Sequence, residues 1–78
     1  MYYCYILKLE NNDYYSGFSI NLLQRLREHK LGRIQATRKF RPLKLVFYAA
    51  FSSQKKATDF EKYLKSSSGF AFRNKRLI

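Results

Sequence analysis

The chain has 78 residues, enough for one domain spanning 1–78, and a single cysteine, Cys4, which excludes a disulfide-stapled scaffold. Sixteen Lys and Arg against five acids give a net charge of +11, an imbalance that makes a polyanion the leading partner. With Cys4 and His29 as the only soft ligands, a structural zinc site is excluded as well.

Residues 2–9 have the aromatic and aliphatic content of a strand, in which Cys4 reads as a small buried hydrophobe. Lys8 interrupts this run well before the ~20 residues a membrane span requires. The segment also lacks a basic n-region and a small-residue cleavage site, so no membrane partner and a reduced, cytoplasmic setting are expected. Glu10-Asn11-Asn12-Asp13 is a turn signal, and Tyr14 to Phe18 reads as the second strand of an antiparallel hairpin. Ser19 or Asn21 caps a helix starting near Leu22, with Leu22, Leu23 and Leu26 as its apolar stripe and Gly32 just past its end.

Gly32 to Pro42 is a basic connection carrying Arg33, Arg38, Lys39 and Arg41, with room for a short helical turn. Leu43 to Phe51 is almost continuously apolar and reads as a central strand. Ser52 or Ser53 caps a helix to about Leu64, with Ala57, Phe60 and Leu64 facing inward. Ser66-Ser67-Ser68-Gly69 reads as a break before a terminal helix or arm over Phe70 to Ile78. The expected architecture is α+β: a three-stranded antiparallel sheet flanked by helices, in the order β-β-α-β-α-α.

The basic residues are interleaved with apolar ones throughout, which favours nucleic acid over a docking tail. The only carboxylates are Glu10, Asp13, Glu28, Asp59 and Glu61. Glu10 and Asp13 belong to the turn, and helical period places Glu28 and Asp59 away from the apolar stripes. Glu61 borders its stripe, either as a partly desolvated functional acid or as a border residue paired with Lys or Arg. Arg25 and His29 share a helix face beside Leu22 and Leu26, and a guanidinium there suits a phosphate. Tyr3 and Tyr5 share a strand face, and Tyr15 precedes Gly17. Read as a strand end, Gly17 suggests close backbone approach, a ligand being one candidate.

Tyr3-Cys4-Tyr5, then Tyr15-Ser16-Gly17 and a helix with Arg25 and His29, resembles the GIY-YIG nuclease superfamily, above all its small stand-alone members. Tyr5-Ile6-Leu7, Arg25-Leu26-Arg27-Glu28-His29, Arg41-Pro42-Leu43-Lys44-Leu45-Val46 and Glu61-Lys62-Tyr63-Leu64-Lys65 continue the likeness in order across the chain. Tyr3 and Cys4 stand where Gly and Ile would, Ser16 replaces Ile, and Phe18 stands where some relatives carry a cationic Lys.

The resemblance implies phosphodiester hydrolysis in nucleic acid, DNA favoured over RNA, with Mg²⁺ or Mn²⁺ as cofactor. By the same resemblance Tyr5 would be the general base or the phenol that orients the nucleophile, Tyr15 its partner near the scissile phosphate, Arg25 the phosphoryl clamp, His29 a proton-transfer aid and Glu61 the metal ligand. Asn74 would match a polar residue some relatives place near the metal. Independently of the resemblance, the interleaved charge makes Arg38, Lys39 and Arg41 the expected contacts to the nucleic-acid backbone. The chain has no room for a separate recognition domain, so weak sequence selectivity or help from a protein partner or second copy is expected. Two other readings stay open: a non-cleaving nucleic-acid-binding module on the same fold, and a structural RNA-binding protein of the ribosomal kind.

Overall fold

The chain first reverses at Asn11–Asn12, where Asn12 takes a left-handed φ of 69° and the Asn11 Oδ1 accepts the Asp13 backbone N–H at 3.1 Å. This turn sets the hairpin of β1 (Tyr2–Lys8) and β2 (Tyr14–Ser19), paired antiparallel with Tyr5 opposite Gly17. The computed structural model describes every residue, Met1–Ile78. After the hairpin come α1 (Leu22–Lys30), a 3₁₀ turn at Arg38–Phe40, β3 (Lys44–Phe51), α2 (Gln54–Leu64) and α3 (Ser67–Arg76). The α+β order expected from sequence is therefore observed, and no helix is long and apolar enough to cross a membrane.

The sheet order is β2-β1-β3, so β1 is central and β3 lies at an edge, against expectation. The physical reason is that β3 is apolar on two faces that are each only partly covered. Its Leu45 packs on one side with Tyr5, Leu7 and Leu9, while Val46, Phe47 and Phe51 pack on the other with Cys4, Ile6 and Leu64. No β3 residue is fully buried, whereas Cys4 through Leu7 of β1 all are. Buried in this way, the Cys4 thiol is pushed up to about 12, which leaves it un-ionised and inert.

Caps define the helices. Asn21 accepts the Gln24 N–H, and Ser53 accepts the Lys56 N–H. Gly32, at φ +76°, follows the end of α1 as expected. The break after α2 is confined to Lys65 and Ser66, and Ser67 to Gly69 are already helical. Ser66 caps α3 by accepting the Gly69 N–H, and Gly69 lies inside the helix because any Cβ there would collide with the Tyr63 carbonyl of α2. The missing side chain lets the two helices abut.

The helical faces are partly as expected. Ala57 and Leu64 are buried on α2, with Phe60 packed beside them. On α1, Leu23 is 80% exposed, and the inward face runs through Leu22, Leu26 and the buried His29. Leu64→Ala should cost about 2–5 kcal/mol of stability through the cavity it leaves, and Leu23→Ala should stay within about 0.5 kcal/mol. Urea denaturation of both variants checks this assignment of faces.

Candidate active site

The site is built where α1 crosses the hairpin. Tyr5 lies on the central strand directly opposite Gly17 of β2. A Cβ on Gly17 would overlap the Tyr5 ring and hydroxyl, so the glycine gives the phenol its place. Gly17 lies within β2, which continues to Ser19, and the group approaching it is Tyr5. One turn beyond Leu26, His29 meets the phenol: Tyr5 Oη and His29 Nε2 are 2.8 Å apart. The other ring nitrogen, Nδ1, lies 2.7 Å from Thr37 Oγ1. Tyr5, His29 and Thr37 are each 1% exposed or less.

Tyr15, half-buried, completes an aromatic cluster. Its ring lies 5.4 Å from the imidazole, edge-on, and 6.5 Å from the Tyr5 ring. Thr37 was not found from sequence. Its only signal was a β-branched hydroxyl residue in a connection otherwise rich in exposed charge.

Burial dominates the electrostatics. It pushes the Tyr5 phenol well above its usual range, with Tyr15 and Glu61 adding and Arg25 opposing. Burial likewise holds the His29 imidazole below its usual range, helped by Arg25 and opposed by Glu28. The pair is therefore neutral at physiological pH: a phenol beside a neutral imidazole. Arg25 is partly exposed and makes only a 3.4 Å contact with Glu28. That contact draws Glu28 into a half-buried position, where sequence placed a solvated charge.

Glu61 is on α2, whose Leu64 packs on the opposite face of the sheet, yet its carboxylate acts on both Cys4 and Tyr5. Its side chain is 21% exposed and lies 3.4 Å from Lys65 Nζ, so it is both partly desolvated and cation-paired. Asp59 points outward and binds Lys55 at 2.7 Å. No cluster of three or more His, Cys, Asp or Glu exists. A lone, partly open carboxylate suits a hard cation that keeps water and takes phosphate oxygens as its other ligands, the habit of Mg²⁺.

The remaining sequence-derived residues are more dispersed. Arg38 and Lys39 are exposed on the 3₁₀ turn. Arg41, also exposed, donates to the Arg38 and Lys30 carbonyls and ties the connection to the end of α1. Asn74 on α3 accepts two bonds from Arg73, at 3.0 and 3.2 Å, through one amide oxygen. Arg73 was missed from sequence because a buried arginine on a basic helix looks like any solvated one.

Comparison with known proteins bears on the family and the fold. The family model described as the GIY-YIG catalytic domain matches residues 1–76. The UPF0213 protein lmo0166 of Listeria monocytogenes is 34% identical over 68 residues, covering 86% of this chain and 76% of that protein. The UPF0213 protein CPE1444 of Clostridium perfringens is 36% identical over 66 residues, covering 83% and 71%. The solution NMR structure of the UPF0213 protein BH0048 from Bacillus halodurans aligns with a TM-score of 0.61 at 27% identity, covering 99% of this chain and 87% of that one. With the family model matched over residues 1–76 and relatives above 30% identity covering most of its length, the chain belongs to the GIY-YIG family.

Proposed function

We propose that the protein is a divalent-metal-dependent endonuclease that hydrolyses phosphodiester bonds, DNA being favoured over RNA. The observation that carries this reading is the sealed chain Tyr5 Oη–His29 Nε2, 2.8 Å, and His29 Nδ1–Thr37 Oγ1, 2.7 Å. A packing tyrosine usually keeps its hydroxyl at a polar edge. Here the hydroxyl is drawn inward onto a neutral base instead.

In this mechanism Tyr5 donates its proton to His29 Nε2 as its oxygen takes a proton from the attacking water. The water oxygen bonds to phosphorus, and the bond to the leaving oxygen breaks. Thr37 Oγ1 holds the Nδ1–H, so the imidazole presents Nε2 as acceptor. A free phenol is a poor base at neutral pH, with a pKa near ~10, and this relay lets it pass a proton without becoming a buried phenolate. Tyr5 itself is 1% exposed, so this mechanism requires the reacting water to reach it past the half-buried Tyr15. Arg25 offsets charge on the non-bridging phosphoryl oxygens. Glu61 would hold Mg²⁺ or Mn²⁺, which when bound supplies Lewis-acid stabilisation of the phosphate charge.

A binding module on the same fold would use the relay only as a structural tie, and cleavage assays separate the two. Plasmid and oligonucleotides should be cut in Mg²⁺ or Mn²⁺ and left intact in chelator. Tyr5→Phe should lower the rate about 10²–10⁴-fold, and Arg25→Ala about 10²–10³-fold, with circular dichroism confirming the fold. Glu61→Gln should remove the metal response, while Asp59→Asn keeps it. Wild-type cleavage by Tyr5→Phe would remove its assigned role.

The depressed His29 pKa also links activity to stability. The unfolded chain takes up the proton near pH 6.5, where the folded imidazole is still neutral. Stability contributed by the neutral ring is therefore complete above that pH and is lost as pH falls below it. Thermal melts from pH 7.5 to 5 should show a falling Tm, flattened in His29→Gln. An equally steep curve in the variant would contradict the assignment.

A further inference from the structure

Arg73 is an unusual cation for so small a domain. It is 7% exposed and forms no ion pair, the acids in pairs being Glu28, Asp59 and Glu61 with other partners. Its guanidinium lies over two rings, 4.2 Å from the Phe70 centroid and 5.1 Å from that of Tyr14. Nε and Nη2 both donate to Asn74 Oδ1, whereas Nη1 donates to nothing in the protein. No sealed side-chain nitrogen or oxygen lacks a partner, so Nη1 is open to the space beside it.

That space is a groove. One cavity of about 660 Å³ is lined by Tyr15, Phe70, Arg73 and Asn74 among others, and a second, about 330 Å³, by Tyr15, Phe70, Arg73 and Lys65. Sharing Tyr14, Tyr15, Phe70 and Arg73, they run together along the free edge of β2. Lys65, which lines the smaller cavity, pairs with Glu61, the carboxylate assigned to the metal. Asp13 also lines the groove, but its Oδ2 accepts from Asn11 Nδ2. Phe70 is 50% exposed, which leaves ring surface free of the guanidinium.

We infer that the groove along β2 binds a single-stranded nucleotide next to the scissile phosphate, with Arg73 on its phosphate and Phe70 under its base. The inference rests on the nuclease reading and specifies which form of substrate the site takes. A guanidinium immobilised between two rings presents its remaining N–H groups with little further ordering, which suits a phosphate oxygen. An exposed ring beside it offers a stacking surface that only an unpaired base can use. Duplex ends, flaps and single strands provide such a base, and an intact duplex does not.

The test is fluorescence anisotropy in chelator, with labelled oligothymidylate and a labelled hairpin duplex as probes. Phe70→Ala should weaken oligothymidylate binding about tenfold and leave the duplex nearly unchanged. Arg73→Gln should reduce the log–log salt slope for the single strand by about 0.7, the loss of one phosphate contact. Arg76→Gln, the same charge change on the same helix but outside the groove, should leave that slope in place. Wild-type binding by Phe70→Ala, or an unchanged slope in folded Arg73→Gln, would overturn the inference. Equal losses on the duplex would overturn the single-strand assignment. If Arg73→Gln does not fold, Phe70→Ala alone decides, since its ring is exposed. Metal-dependent cleavage by the wild-type chain tests the nuclease reading separately, so failure of one is not mistaken for failure of the other.

Discussion

A phenol held inside the protein against an imidazole, with a threonine behind it, organises the parts of the chain that matter. Tyr5 brings the central strand, His29 brings α1, and Thr37 brings the basic connection, all into one sealed contact. Gly17 adds β2 by having no side chain where the phenol must lie. Removing any one polar partner leaves the others buried without a hydrogen bond, at about 1–3 kcal/mol. The relay is thus a structural tie as well as a chemical one, and both roles depend on a neutral histidine.

Charge is arranged around that neutral centre. The protein carries +11 overall, yet the cations nearest the chemistry are few and individually placed. Arg25 is partly exposed with a single contact to Glu28, Lys65 is paired with Glu61, and Arg73 is held over the Phe70 and Tyr14 rings. Arg38 and Lys39 are exposed on the surface of the 3₁₀ turn, where they add to a general attraction for phosphate. Long-range attraction brings a polyanion close; the ordered cations give it a register.

The sequence made the fold legible because its signals were local. Asn11-Asn12 marked the hairpin, Asn21 and Ser53 the helix starts, and Gly32 the helix end, and each is confirmed by a cap or a backbone angle. What failed depended on distant partners. Continuous apolarity in β3 looked central, although two separate layers each cover part of it. Leu23 joined the stripe by residue type, while the inward face of α1 continues to His29, a polar residue buried by its bonds to Tyr5 and Thr37. The break after α2 looked longer than its two residues, because only the carbonyl of Tyr63 shows why a glycine belongs inside α3. The family resemblance names Tyr5, Tyr15 and His29, and the fold brings these three rings together. Thr37 and Arg73 carried no motif. Their meaning comes from burial and from what they face, which a linear reading cannot supply.

The central claim is the direction of the proton in the Tyr5–His29 bond, and ¹⁵N NMR of the labelled imidazole reads it most directly. At neutral pH the His29 ring should be neutral, with the proton on Nδ1 and Nε2 as the unprotonated acceptor. In Thr37→Val, which removes the oxygen that holds Nδ1–H, the tautomer population should shift toward Nε2–H. A wild-type ring protonated on Nε2, or on both nitrogens, would contradict the account, because Tyr5 would then have no base to receive its proton.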